Sequence, residues 1–288
     1  MDPLALHPEA LEDLRRSGLD DATIAAAGLY TATPADLPRL LSARLVSQVR
    51  HVLVFPYDGA PRTIPMRRDD EFVRCKLFPP VHDGQGHTIR YYQRAGTPPR
   101  LYVPAPARAA LADPTMPLLI TEGEKKALRA NQEGLACVAV GGLWNWQTAG
   151  RPIADLDRID WVERETVIAP DSDVWTRPEL LQPVFALGKE LEGRGAKIAV
   201  LKLPAASGAK VGLDDFLCAH SRDALDALPR LPLKHAALAR TSAWWRGWSK
   251  RKEEGSDAGA EATALDLLER AESVRVLHPA QDVVDGVL

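Results

Sequence analysis

Cysteine is scarce in this chain: three residues in 288, at Cys75, Cys137 and Cys218, with no CxxC pair and no Cys/His cluster. That pattern argues against a disulfide framework or a cysteine-built zinc site, and it fits a reducing, cytoplasmic setting. A large excess of either charge is also missing. The net charge is −3, so any nucleic-acid binding has to come from local basic patches rather than from the global balance. No apolar run approaches the length of a membrane span, and the opening MDPLALHPEALEDL lacks a basic-then-apolar leader pattern, so no membrane partner is expected. The seven histidines are scattered and support no ligand assignment. What remains is ordinary for a soluble globular protein: 45% hydrophobic and 26% charged residues, with length for one large or two modest domains.

The pattern along the chain divides it into four regions. Residues 1–48 read as a helical segment, with HPEALEDLRRSGL and DDATIAAAGL as short amphipathic helices about Gly18 and Asp20 as an N-cap. The second helix is too small and alanine-rich for this pair to read DNA bases. Residues 49–111 are β-rich and basic: HVLVFPYDG alternates into a turn, and IRYYQRAGTPPRLYVP is extended and aromatic. Arg62, Arg67, Arg68, Arg74, Lys76, Arg90, Arg94 and Arg100 are interleaved with Tyr57, Tyr91 and Tyr92, a composition suited to single-stranded nucleic acid. Residues 112–230 carry four near-continuous apolar strands, PLLIT, LACVAV, ETVIAP and KIAVLKLP, separated by helical segments. Such alternation predicts a parallel sheet covered on both faces, an α/β domain. Thr176, Pro178 and Glu179 form a capping-box signal for its third helix. Residues 231–288 read as a linker and helices, and VRVLHPAQDVVDGVL reads as the start of a further unit in a longer protein.

Acidic residues fall where ligands of parallel α/β sheets collect, at the carboxyl ends of the strands. Glu122 ends the first strand, Asp171 and Asp173 follow the third, and Asp214 and Asp215 follow the fourth. Hard cations such as magnesium take oxygen ligands, commonly one or two carboxylates plus substrate phosphates. Gly123 allows close approach of a phosphate, and Lys125 and Lys126 open the following helix. Asp214 and Asp215 read equally as helix caps. Trp144 and Trp146 read as packing residues beside a strand-end loop.

The run TEGEKKA, with the later DSD and GLDDFL, resembles the Toprim domain of bacterial-type primases, topoisomerases and several nucleases, and within it the primase-like members of phage, plasmid and other mobile-element replication proteins. The resemblance covers roughly residues 50–230. It implies a Toprim-like parallel sheet flanked by helices, with a smaller helical and β-rich N-terminal unit. It further implies Glu122, Lys125, Asp171 and Asp173 as catalytic residues. Glu122, Asp171, Asp173 and Asp215 would hold Mg2+, for which Mn2+ can substitute. Arg67, Arg68, Lys76, Arg90, Arg94, Arg100 and Lys126 would bind nucleic acid. The implied reaction is nucleotidyl transfer from nucleoside triphosphates on single-stranded DNA, with a fused or separate helicase module as partner. The chain departs from replicative primases in having no cysteine-rich zinc module before the core. Two alternatives stay open: a Toprim nuclease, and a non-catalytic nucleic-acid-binding module of a larger primase-helicase. A phosphoacceptor α/β domain fits less well, because the acidic pair follows the third strand while a Glu-Gly motif ends the first.

Overall fold

The computed structural model describes residues 6–57, 72–84, 86–205 and 209–239. Arg62, Arg67 and Arg68 lie outside the described residues, as do the helices expected after residue 239. In chain order, helices α1 (Pro8–Arg16) and α2 (Asp21–Ala26) lead to strand β1 (Tyr30–Thr31). Two single-turn helices, α3 (Leu37–Leu40) and α4 (Ala43–Val46), precede strands β2 (His51–Pro56), β3 (Val73–His82) and β4 (Thr88–Gln93). Asp20 caps α2 as predicted, its Oδ1 accepting from the Thr23 N–H at 2.7 Å. These four strands form an antiparallel sheet in chain order, and β1 ties the helical start of the chain to β2.

The larger unit continues with α5 (Arg108–Leu111), β5 (Leu118–Glu122), α6 (Glu124–Gln132), β6 (Cys137–Val140) and a small hairpin, β7 (Gln147–Thr148) with β8 (Arg151–Pro152). It ends with β9 (Glu165–Ala169), α7 (Pro178–Gly193), β10 (Lys197–Leu201), α8 (Leu213–Ala219), α9 (Arg222–Asp226), β11 (Arg230–Pro232) and α10 (Ala236–Ala239). The four apolar strands of the sequence pair in parallel in the order β10-β9-β5-β6, and β11 adds an antiparallel edge. The expected α/β sheet is therefore present.

Period-two alternation decides which side chain meets which layer. Leu119, Cys137, Ala139, Val167, Ala169 and Leu201 face a core shared with α6, α8 and the N-terminal unit. Leu118, Ile120, Val138, Val140, Ile168 and Val200 face the opposite core, filled by α7 and by Trp146 and Trp161. Both faces are thus apolar, as the strands' near-continuous hydrophobicity requires. The capping box read for α7 does not form. Its N-cap is Arg177, whose side chain makes no capping bond to the helix N–H groups, while Thr176 Oγ1 donates to the Asp173 carbonyl at 3.0 Å and Glu179 accepts from Arg177 Nε. The loop between β9 and α7 makes a short 3-10 turn over Ser172–Trp175, which moves the helix start beyond Thr176.

Strand order also locates a crevice. From β5 the chain passes to β6 on one side, then returns to β9 on the other. Ligands in open α/β sheets gather outside the carboxyl ends of the two strands flanking such a reversal. Here those strands are β5 and β9. They end at Glu122 and Ala169, with Thr121 opposite Ala169 and its Oγ1 donating to the Ala169 carbonyl at 3.0 Å.

Candidate active site

Glu122 is the last residue of β5 and is buried. Gly123 follows at φ +93°, a conformation glycine adopts without strain, and it turns the chain directly into α6. One helical step along, Lys126 reaches back across the crevice to Asp171, its Nζ 2.6 and 2.7 Å from the two carboxylate oxygens. Lys210 reaches the same carboxylate from the β10–α8 loop, 2.7 Å from Oδ2. Asp171 is only 2% exposed. Both its oxygens lie within reach of the Lys126 ammonium.

The two acidic loops are stitched together. Ser172 N–H donates to the Val211 carbonyl and the Val211 N–H donates to Ser172 Oγ, both at 2.9 Å. Val211 and Gly212 are thereby held against Asp171. A side chain at Gly212 would collide with its neighbours: a Cβ there would lie 2.6 Å from Lys126 Cε, 2.8 Å from Asp214 Oδ1 and 3.2 Å from Asp171 Oδ1. Of the adjacent pair, Asp215 turns Oδ2 onto the Gly212 N–H at 2.8 Å and caps α8. Asp214 is buried, and its charge acts on Lys126. Asp173 is further out, 3.9 Å from Arg177.

Electrostatics follow from this crowding. Burial and the Asp171 charge push the Glu122 carboxyl above its ordinary range. Burial acts on Asp171 in the same direction, but Lys126 and Lys210 more than offset it and hold that carboxyl low. Burial would depress the Lys126 ammonium, yet Asp171 and Glu122 raise it; Lys210 is raised on the same grounds, chiefly by Asp171. The rim therefore combines an ionised aspartate, a glutamate that retains its proton more readily than usual, and two cationic lysines. The carboxylates offer only oxygen ligands, so the donor set suits a hard cation. The two ammonium groups already neutralise part of the charge that such a cation would meet.

The remaining residues singled out in the sequence lie elsewhere. Lys125 points away from Glu122 and bonds Asp13 of α1, with Nζ 3.1 Å from Oδ2. Lys76 takes the other oxygen of Asp13 at 2.6 Å. Arg100 bonds Asp155 at 2.7 Å. Arg94 borders a surface hollow of about 380 Å³ with Arg39, Ser42 and Tyr92. Arg90 is half-buried on β4. Tyr57 is not a stacking residue: it is 6% exposed and donates its hydroxyl to Glu124 Oε1 at 2.6 Å.

That last contact belongs to a cluster the sequence did not disclose. Glu124, in the first turn of α6, is 1% exposed. It accepts from Tyr57 and from Arg74 Nη1 at 2.7 Å, while Arg74 lies 5.3 Å over the Tyr91 ring. The Glu124 charge and the buried setting together raise the Tyr57 hydroxyl well above its usual range. The triad joins β3 and the end of β2 to the first turn of α6, so it fixes the small unit beside the crevice. The Glu-Gly-Glu spacing was the one available signal, since an acid two residues beyond a strand-end glutamate has two faces on which to point.

Three comparisons bear on this arrangement. Residues 108–224 match a family described as a domain of unknown function, DUF3854. No curated protein matches the chain. Among solved structures, it is similar to the RNA polymerase domain of Mycobacterium tuberculosis primase DnaG. That match has 15% identity and a TM-score of 0.56, and covers 94% of this chain and 92% of that one. It is also similar to the zinc-binding and RNA polymerase domains of Aquifex aeolicus primase, again at 15% identity, with a TM-score of 0.50 and 78% of this chain covered. The chain spans 57% of that Aquifex chain. At this identity the likeness shows a shared fold: a mixed α/β structure with a parallel-rich sheet flanked by helices.

Proposed function

We propose that this chain is a primase-like Toprim protein of mobile-element DNA replication, joining nucleotides on a single-stranded DNA template. One observation carries the reading. Carboxylates from three separate segments, Glu122, Asp171 and Asp214, act on Lys126 at the switch point of the sheet, and Lys210 joins it on Asp171. The similarity in fold to bacterial primase domains supports the same assignment. In this reading Asp171, Asp173 and Asp214 would hold Mg2+, which supplies charge neutralisation at the transferred phosphate and orients the attacking oxygen. Lys126 and Lys210 neutralise nucleotide phosphates from within the crevice, and Glu122, its carboxyl pushed up by burial and the Asp171 charge, is the metal-linked or proton-handling residue. The antiparallel unit of residues 49–111 forms the wall that takes the template, with a helicase module, fused or separate, as the partner.

The ion pairs at Asp171 favour a second reading, a binding module of a primase-helicase that needs no cation, because both lysines already neutralise this carboxylate. One experiment separates these readings and the nuclease alternative. The protein is incubated with Mn2+ or Mg2+ and labelled single-stranded DNA, with and without nucleoside triphosphates. New oligonucleotides that disappear in Asp171→Ala support the proposal. Shortened DNA identifies a nuclease. DNA binding without either reaction, unchanged in Asp171→Ala and Asp173→Ala, overturns the proposal in favour of the binding module.

A further inference from the structure

A second cluster of ligating side chains lies away from the carboxylate rim, where the chain's start packs on the small sheet. His7 is the N-cap of α1, Glu9 sits in its first turn, and His51 opens β2. One ligand atom from each lies within 4.8 Å of the others. His51 is 5% exposed, is stacked on Phe78 with ring centroids 4.9 Å apart, and its Nε2 has no hydrogen-bond partner. A buried ring nitrogen without a partner is costly and calls for an explanation. That nitrogen faces Glu9 Oε2 at 3.7 Å, not far from the spacing of two ligands on one ion with bonds of about 2.0–2.1 Å. His7 lies alongside, its ring centroid 3.8 Å from that of His51.

We propose that His7, Glu9 and His51 form a binding site for a borderline divalent transition metal, of which Zn2+ is the expected occupant. Two imidazoles and a carboxylate are a donor set for zinc rather than for magnesium or calcium. The His7 Nδ1 accepts from the Glu9 N–H at 3.3 Å, which leaves its Nε2 for the ion. His51 is held by Phe78 and is the fixed ligand. His7, exposed at the start of the described chain, swings its ring out of the stack to coordinate. Arg50 now pairs with Glu9 at 3.1 Å but is two-thirds exposed, and it gives up this contact to solvent when the ion enters. Burial and the neighbouring His7 keep the His51 imidazole neutral more readily than usual, the form a metal requires. The ion would staple α1 to β2, and α1 is the helix whose Asp13 holds Lys76 and Lys125.

The test uses the untagged chain, stripped with chelator and then titrated with Zn2+, with stoichiometry read by elemental analysis and affinity by calorimetry. The expected result is one Zn2+ per chain, a Zn2+-dependent rise in melting temperature, and retention of both in Asp171→Asn. Affinity falls tenfold or more in His51→Gln and also in His7→Gln, whose exposed position leaves the fold intact by circular dichroism. Cobalt substitution gives a visible spectrum that the two histidine variants lose. The proposal is overturned by no stoichiometric Zn2+ in the wild type. It is equally overturned by zinc that survives His7→Gln and His51→Gln but is lost in Asp171→Asn, which would place the ion at the carboxylate rim.

Discussion

Replacing Lys126 by methionine tests how the crevice divides its charge between protein and ligand. The ammonium sits 2.6 and 2.7 Å from both oxygens of Asp171, so a divalent cation on that carboxylate would have a fixed positive charge within about 4 Å. At an effective dielectric constant of about 20, unit charges at that separation interact by about 4 kcal/mol, and a divalent cation with one ammonium by about 8 kcal/mol. A sixth of that larger value, after the side chain relaxes and Lys210 takes part of the load, changes a dissociation constant about tenfold. Methionine keeps an unbranched stem and removes only the charge. In the absence of nucleotide, Mn2+ is therefore expected to bind Lys126→Met about tenfold or more tightly than wild type, and Asp171→Asn more weakly than either. Nucleoside triphosphate binding at saturating Mn2+ should move the other way, because the phosphates lose a cation. Calorimetry measures both, with circular dichroism to verify the fold. An unchanged or weakened Mn2+ affinity in a folded Lys126→Met protein refutes this account of the site.

Glu124→Ala leaves Arg74 and Tyr57 buried without their acceptor, and removing one member of a buried pair costs about 3–5 kcal/mol; urea unfolding should show a loss in that range, much of it recovered in the double variant Arg74→Met, Glu124→Leu. Gly212→Ala drives a methyl group against Lys126, Asp214 and Asp171, so Mn2+ affinity should fall at least tenfold while the melting temperature moves by only a few degrees, read by calorimetry and thermal shift. Burial and the neighbouring Lys125 lower Lys76 from 10.5 to about 8. The folded state then holds fewer protons on this group than the unfolded chain between those values, so its contribution to stability rises with pH from about 8 to 10.5, by up to about 3 kcal/mol. Comparing wild type with Lys76→Met in denaturant series at pH 7.5 and 10 checks the sign, and an identical pH dependence in the two proteins would count against it.

The parts of this fold that are legible from sequence are those set by local periodicity. The four apolar runs pair as parallel strands because each alternates between two buried layers, and Glu122 and Asp171 reach one rim because strand ends are positions a sequence marks. What escapes is the direction of a charged side chain whose partner is distant in sequence. Lys125 and Lys126 are neighbours in a run of charges, yet one turns to Asp13 and the other to Asp171. Glu124 is buried because Arg74, fifty positions earlier, lies under it. Asp214 and Asp215 are equivalent as letters, and only the direction in which α8 leaves Gly212 makes Asp215 the cap and Asp214 a buried charge acting on Lys126. The capping box at Thr176 fails for a related reason: the loop carrying Asp171 is tied to Val211, and the 3-10 turn that follows postpones the helix.

The same pairing changes what the basic region can contribute to nucleic-acid binding. Read as a string, residues 62–100 present a dense row of cations. In the folded chain Arg74 is bonded to Glu124, Lys76 to Asp13 and Arg100 to Asp155. Each of these bonds is at or below 2.7 Å, and the acids come from α6, α1 and the turn before β9. Such cations act first as struts between elements, and a phosphate would have to displace a carboxylate to use them. Arg94 differs, being exposed beside Arg39 and Tyr92 at a surface hollow. Within the described part of that basic region this leaves Arg94 as an exposed cation beside the small sheet, while the cations of the crevice, Lys126 and Lys210, lie on Asp171. A template on the outer wall and a triphosphate at the rim would then meet different cations, and loss of one set need not abolish binding of the other.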